Sequence, residues 1–422
     1  MTSILAVRSA FPAYRYPQAE LTQKIAELSR LSPVQRTLLE RLHRNAGVDT
    51  RHTALPLAAY GELDGVGPTN DRYIEEATTL GERALRAALD AAELDPADLD
   101  MLVVTSVTGV AVPSLDARLI PRLGLRSDVK RVPIFGLGCV AGAAGLARVH
   151  DYLLAWPRHT AAVLSVELCT LTWSPSAVTT ADMVVNGLFG DGAAALVATG
   201  THGKRRSPRV LATRSEVYPD SEEALGWRLG SEGFRIVLTA ELSDVVDRRL
   251  GGSVTAFLAE HGLTIDDITN WICHPGGPRV IDAARDSLKL SDSDVALSRQ
   301  SLAAVGNLSS ASVLHVLELL GAEPQREGTF GMMIGLGPGV SAELVLLQWL
   351  STGFCSVSSR SSGWRNSWCP SGTRRPVCGV AAWSPARGTS LSWSRCTWHC
   401  SSAASSSRSS RTARSSRRWR GR

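Results

Sequence analysis

Strand-like and helix-like patterns alternate along the first 350 residues, and this alternation limits the fold more than any other feature of the chain. Apolar strands separated by helices assemble into a sheet whose faces the helices cover. Residues 4–11 predict a strand and 21–44 a helical stretch. Residues 75–92 set Leu80, Ala84, Leu85, Ala88, Leu89 and Ala92 along one helical face, and Asp95-Pro96 ends that helix before an apolar strand at 101–107. A strand at 132–135, a helix at 140–156, a strand at 161–166 and an apolar segment at 192–198 follow. After a polar break at 203–209 the order restarts, with helix 239–262, strand 269–273, helices 279–290 and 309–320, and short strands at 331–334 and 342–347. Two successive halves, 1–202 and 203–350, predict a duplicated α/β architecture, although no residue pattern repeats between them.

Polar residues stand at three junctions where a strand or loop hands over to a helix. Cys139 lies in Gly136-Leu-Gly-Cys-Val-Ala-Gly142, where free backbone N–H groups and the helix dipole favour a thiolate, the nucleophilic form of cysteine. His274 lies in Cys273-His-Pro-Gly-Gly-Pro278, and Asn307 in Gly306-Asn-Leu-Ser-Ser310. Each alone has an ordinary structural reading as a buried thiol, a loop histidine or a helix cap. Together they form a plausible catalytic set. A rival reading takes Gly136-x-Gly138-x-x-Ala141 as a dinucleotide fingerprint with Glu167 as the ribose acid. Glu167 follows Gly138 by 29 residues where about 20 are expected, and His274 and Asn307 stay unexplained.

The chain changes character at residue 351. Residues 351–422 hold 21 Ser, 13 Arg, 6 Trp and 5 of the 8 Cys, with no Lys, Asp or Glu. No apolar periodicity supports a core there, so the tail is expected to be disordered. Its composition fits out-of-frame or read-through translation better than a nucleic-acid-binding arm, which would mix Lys with Arg and seldom expose five thiols. Without it the body has 32 basic and 40 acidic residues and gives no reason to expect nucleic acid as a partner. Its three cysteines are far apart and form no CxxC pair, which disfavours a zinc or disulfide framework and fits a reduced, cytoplasmic setting. There is no apolar run long enough for a membrane span, and the first ten residues lack the basic and apolar regions of a signal peptide.

Five motifs in order resemble the type III polyketide synthases, the chalcone synthase-like group of the thiolase superfamily. They are Gly138-Cys-Val-Ala-Gly142, Leu188-Phe-Gly-Asp-Gly-Ala-Ala-Ala195, His274-Pro-Gly-Gly-Pro278, Gly306-Asn-Leu-Ser-Ser-Ala-Ser312 and Gly335-Leu-Gly-Pro-Gly339. The resemblance implies a five-layered αβαβα fold of two similar halves, acting as a homodimer on acyl-CoA and malonyl-CoA without a metal or bound cofactor. It makes Cys139 the acyl-carrying nucleophile, His274 and Asn307 the holders of the thioester carbonyl during decarboxylation, and Phe189 the aromatic residue at the pocket entrance. Arg44-x-x-Gly-Val-x-x-Arg51 is similar to a segment near the CoA entrance, so Arg51 is a candidate partner for a CoA phosphate, with an exposed solvated arginine as the alternative.

Ala111-Val-Pro-Ser-Leu-Asp-Ala-Arg118 and Ser165-Val-Glu-Leu-Cys-Thr170 resemble the bacterial branch that uses long-chain acyl-CoA starters and makes alkylpyrones or alkylresorcinols. In that branch the positions of Thr108 and Cys169 line an acyl tunnel. Single-condensation enzymes similar to ketoacyl synthase III or hydroxymethylglutaryl-CoA synthase remain an alternative, as does a non-catalytic scaffold of the same fold. The resemblance ends near residue 350, where the tail begins.

Overall fold

The computed structural model describes residues 2–63, 65–173, 178–201, 207–230, 233–239 and 241–349, which belong to one compact unit. The predicted tail, 351–422, and the predicted boundary between the halves at 202/203 lie outside the described residues. The first half runs β1 (Thr2–Ala10), β2 (Tyr14–Pro17), α1 (Gln18–Leu28), α2 (Pro33–Arg44), β3 (Thr50–Thr53), α3 (Val66–Ala92), β4 (Met101–Thr105), α4 (Leu115–Leu123), β5 (Lys130–Ile134), α5 (Ala141–Ala155), β6 (Thr160–Leu168), α6 (Thr180–Leu188) and β7 (Asp191–Thr199). The second runs β8 (Pro208–Val217), β9 (Leu225–Gly230), β10 (Gly233–Leu238), α7 (Glu241–Glu260), β11 (Ile268–Cys273), α8 (Pro278–Leu288), α9 (Ala296–Val305), α10 (Ser312–Gly321), β12 (Phe330–Gly337) and β13 (Ser341–Trp349).

Nine strands are hydrogen-bonded in the order β5-β4-β6-β7-β1-β8-β13-β12-β11. Only two residue pairs, Thr2 with Val210 and Ser3 with Arg209, join the halves at β1 and β8. On either side of that seam the topology repeats. The first strand of a half (β1, β8) lies beside its last (β7, β13), then its penultimate (β6, β12), then a parallel strand (β4, β11). The duplication expected from the sequence is thus present as topology.

Strand alternation distributes the core. In β4, Leu102 and Val104 face α3 and α4 while Met101 and Val103 face α5 and α10. In the second half, Met332, Ile334, Leu344 and Leu346 face α7 and α8, while Met333, Val345 and Leu347 meet the same α5 and α10. Both half-sheets therefore share one central helical layer, and the result is five layers. The stripe foreseen in residues 75–92 is the buried face of the longer α3.

The predicted helical stretch 21–44 is two helices. Ser32 breaks it, its Oγ accepting from the Gln35 N–H and its own N–H donating to Gln35 Oε1 in a capping box, with Pro33 at the first helical position. Among the described residues no helix is long and apolar enough to cross a membrane.

Candidate active site

Cys139 sits in a single 3₁₀ turn, Gly138–Val140, between β5 and the buried helix α5. The start of α5 approaches its neighbour so closely that a Cβ on Gly142 would stand 2.1 Å from the Ser310 carbonyl oxygen. This contact brings the turn Ser309–Ala311 against Cys139. The Cys139 thiol donates to Ser309 Oγ at 3.5 Å, and Ser309 Oγ donates to Glu167 Oε1 at 3.2 Å. Ser309 holds a positive φ of 50°, an uncommon conformation for a residue with a side chain.

Asn307 is fixed from both sides. Its N–H donates to the Leu188 carbonyl at 2.8 Å and its carbonyl accepts from Gly190 N at 3.0 Å. Its Oδ1 accepts from Ser309 N and Ser312 Oγ, at 2.8 and 3.1 Å, but the helix-cap alternative does not hold, because the cap of α10 is Ala311 and that of the preceding 3₁₀ turn is Leu308. Its Nδ2 donates to the Gly276 carbonyl at 3.3 Å, and Gly276 N in turn donates to the His274 carbonyl at 2.9 Å. Hydrogen bonds therefore run from Cys139 through Ser309 and Asn307 to the His274 loop. The three residues singled out in the sequence lie on one connected path.

Electrostatics departs from the sequence expectation. A helix start was expected to favour the thiolate, but burial pushes the Cys139 thiol up to about 12, against the lowering effect of the Ser309 hydrogen bond. Burial lowers His274 to about 4, so its imidazole is neutral, and its Nδ1 has no hydrogen-bond partner among the described residues. Both side chains are thus uncharged. A buried thiol is a poor nucleophile until a base takes its proton, and a neutral imidazole can do so.

Glu167, considered in the sequence only as a ribose ligand, belongs to this site instead. It accepts from Val107 N at 3.1 Å, Thr108 Oγ1 at 3.0 Å, Ser309 Oγ at 3.2 Å and Ser310 Oγ at 2.5 Å. With its oxygens committed to these donors, it has no place for a ribose. Burial raises its pKa, and these hydrogen bonds offset part of the rise.

Thr108, Cys169 and Phe189 all line a cavity of about 20 Å³ beside Cys139, together with Trp227, Ile236 and Pro338. Trp227 and Ile236 come from the β9–β10 hairpin, which the sequence reading did not identify. A wider cleft of about 700 Å³ lies beyond, sharing Thr108 and Thr172 with the small cavity and carrying Arg30, Tyr73 and Trp173.

Arg51 is a correction. It has no exposed surface, and Nε donates to Gln18 Oε1 at 3.0 Å while Nη1 donates to the Phe189 carbonyl at 2.5 Å. It can be neither a solvated arginine nor a contact for a phosphate at the surface. Among the described residues no group of three or more His, Cys, Asp or Glu side chains could hold a metal ion.

Comparison with known proteins agrees with this geometry. Residues 8–214 match the FAE1/type III polyketide synthase-like family, and residues 209–351 match the C-terminal domain of chalcone and stilbene synthases. A 1,3,6,8-tetrahydroxynaphthalene synthase from Streptomyces peucetius is 54% identical over 82% of this chain and 93% of its own. The alpha-pyrone synthesis polyketide synthase-like protein Pks18 of Mycobacterium tuberculosis is 30% identical over 78% of this chain and 86% of its own. The crystal structure of 1,3,6,8-tetrahydroxynaphthalene synthase from Streptomyces coelicolor superposes with a TM-score of 0.78 at 32% identity, covering 83% of this chain and 99% of that one.

Proposed function

The chain belongs to the type III polyketide synthases, acyltransferases of decarboxylative Claisen condensation, and from that premise we propose that Cys139 carries the growing acyl chain on a small starter, with a fused-ring aromatic as product. His274 takes the thiol proton during loading. His274 and Asn307 then hold the malonyl thioester carbonyl as carbon dioxide leaves, stabilising the enolate oxygen in a water-poor site. Phe189, on the wall of the same cavity, favours loss of the charged carboxylate by offering it an apolar face. The enolate attacks the Cys139 thioester, the new carbon–carbon bond forms, and the thiolate leaves to accept the extended chain.

The observation that carries the small starter is the cavity beside Cys139. About 20 Å³ is close to the space of one water molecule, and Trp227 and Ile236 close one side of it. The 54% identity to a tetrahydroxynaphthalene synthase supports the same reading. A second reading keeps the long-chain starter and alkylpyrone or alkylresorcinol product expected from the sequence. It is favoured by the 700 Å³ cleft that begins at Thr108 and Thr172, and by the similarity to Pks18.

Incubating the protein with malonyl-CoA alone, then with malonyl-CoA and a long fatty acyl-CoA, separates the two by mass spectrometry. A fused-ring product from malonyl-CoA alone supports the first reading, and product formation only with the fatty starter overturns it. We also propose a homodimer as the working unit. Val112 and Phe135 are 88% and 57% exposed, Phe135 directly after the free edge strand β5, and sedimentation of the purified protein as a monomer would refute it.

A further inference from the structure

Behind the proposed site lies a charged group that the condensation chemistry does not use. Arg51 is wholly buried between the two segments that present Phe189 and Asn307. Its Nη1 grips the Phe189 carbonyl, and its Nε grips Gln18, whose own Nε2 donates to the Gly187 carbonyl at 2.7 Å. The end of α6 is thus held at two carbonyls from one side. From the other side it is held by Asn307, through the two backbone hydrogen bonds to Leu188 and Gly190. The stem of Arg51 fills the remaining gap, because a Cβ on Gly306 would come within 2.9 Å of Arg51 Cδ.

The guanidinium is not placed there to saturate hydrogen bonds. Its Nη2 is buried without a hydrogen-bond partner among the described residues, a costly arrangement that persists only when the surroundings fix the group. Its counter-charge, Asp191, sits two residues beyond Phe189 and ties in the segment that carries Cys169, accepting from Thr170 N at 2.8 Å and from Ala54 N at 2.6 Å. Arginine suits this position because its planar fork donates in separate fixed directions, whereas lysine offers one mobile point charge.

We propose that Arg51 is a positioning residue for the decarboxylation half of the reaction: it sets the Phe189 ring and the Asn307 amide relative to each other and takes no part in activating Cys139. The proposal rests on the reading that Phe189 and Asn307 act on the malonyl group. Loss of carbon dioxide is sensitive to such placement, since a displacement of about 1 Å can cost about 10²-fold in rate. The Cys139 thiol donates to Ser309 Oγ, which donates on to Glu167, so Arg51 reaches it only indirectly, through Asn307 Oδ1 and Ser309 N.

The test uses Arg51→Lys, which keeps the charge but loses the fork, and the milder Gln18→Met, which leaves the guanidinium in place without its Nε partner. Two rates are measured on the full chain: release of labelled carbon dioxide from malonyl-CoA, and alkylation of Cys139 by iodoacetamide. Arg51→Lys is expected to lower carbon dioxide release by about 10- to 100-fold. Gln18→Met should lower it by less, with alkylation in both variants staying near the wild-type rate. Parallel losses in both rates, or unchanged carbon dioxide release in both variants, would overturn the proposal, since a merely structural arginine moves the two rates together. Asn307→Ala and Phe189→Ala serve as references. Unchanged release in those two would remove the reading beneath the proposal, and the proposal with it, whereas a loss in them alone would show that the failure lies with Arg51.

Discussion

The protonation state of Cys139 can be tested directly through the pH dependence of its alkylation. Burial moves the thiol from about 9 to about 12, so at any pH below 9 the thiolate is about 10³-fold scarcer than on an ordinary exposed cysteine, equivalent to about 4 kcal/mol. Below its pKa a thiol gains thiolate tenfold per pH unit. The logarithm of the iodoacetamide rate, read by mass spectrometry of the Cys139 peptide, is therefore expected to climb with a slope near one from pH 6 to 10 without a plateau. The negative charge of Glu167 is among the causes that raise this thiol, so Glu167→Gln should move the whole profile to lower pH. A plateau beginning near pH 8 in the wild type would show that the start of α5 offsets burial. That would refute the neutral pair and the role given to His274 in loading.

Four further outcomes are expected. Cys139→Ser should abolish product formation, and His274→Ala or Asn307→Ala should lower condensation by about 10²–10³, measured as malonyl-CoA consumed. Trp227→Gly should enlarge the cavity beside Cys139 and raise kcat/KM for longer acyl-CoA starters, whereas Cys169→Phe should lower it for all but the smallest; equal effects on every starter length would place both residues away from the acyl chain. Stability should fall as pH rises from 9 towards 12, because the folded chain retains the raised protons of Cys139, Cys169 and Cys273 while the unfolded chain releases them. Each such group contributes a slope of about 1.4 kcal/mol per pH unit, and Cys273→Ala should flatten the fall in thermal melts. Truncation after Leu350 should leave activity and melting temperature nearly unchanged, since both family matches and the closing strand β13 end by residue 351.

What the sequence disclosed about fold and site followed from local pattern. The apolar runs of β4 and β6 and the stripe of α3 were visible because alternation and helical spacing are local, and Cys139, His274 and Asn307 stood out because each sits in a glycine-containing segment at an element boundary. The helices α6 and α9 escaped because, at 9 and 10 residues, each is too short to show a sustained stripe, and the β9–β10 hairpin because it lies outside the main sheet. Glu167 lies one residue before the end of the apolar strand β6, and a carboxylate buried there needs donors. Those donors come from residues 107, 108, 309 and 310, which no local pattern connects. Arg51 was misplaced for the same reason, since nothing within its own segment shows that Gln18, Phe189 and Gly306 close around it.

The repeated topology explains why residues from distant parts of the chain share one site. Cys139 precedes α5 and Asn307 precedes α10, and these are the two helices packed between the half-sheets. Thr108 follows β4 and His274 follows β11, which occupy matching places in the strand order. Each half therefore delivers one residue at the start of its central helix and one at the end of its parallel strand, and the pseudo-symmetry brings all four to the same end of the central layer. Because the frame is duplicated while the residues are not, the first half supplies a thiol and a wall of the small cavity and the second an imidazole and an amide. Asymmetry at matched positions is what a condensation requires, since one acyl group must be held covalently while its partner is held only by hydrogen bonds.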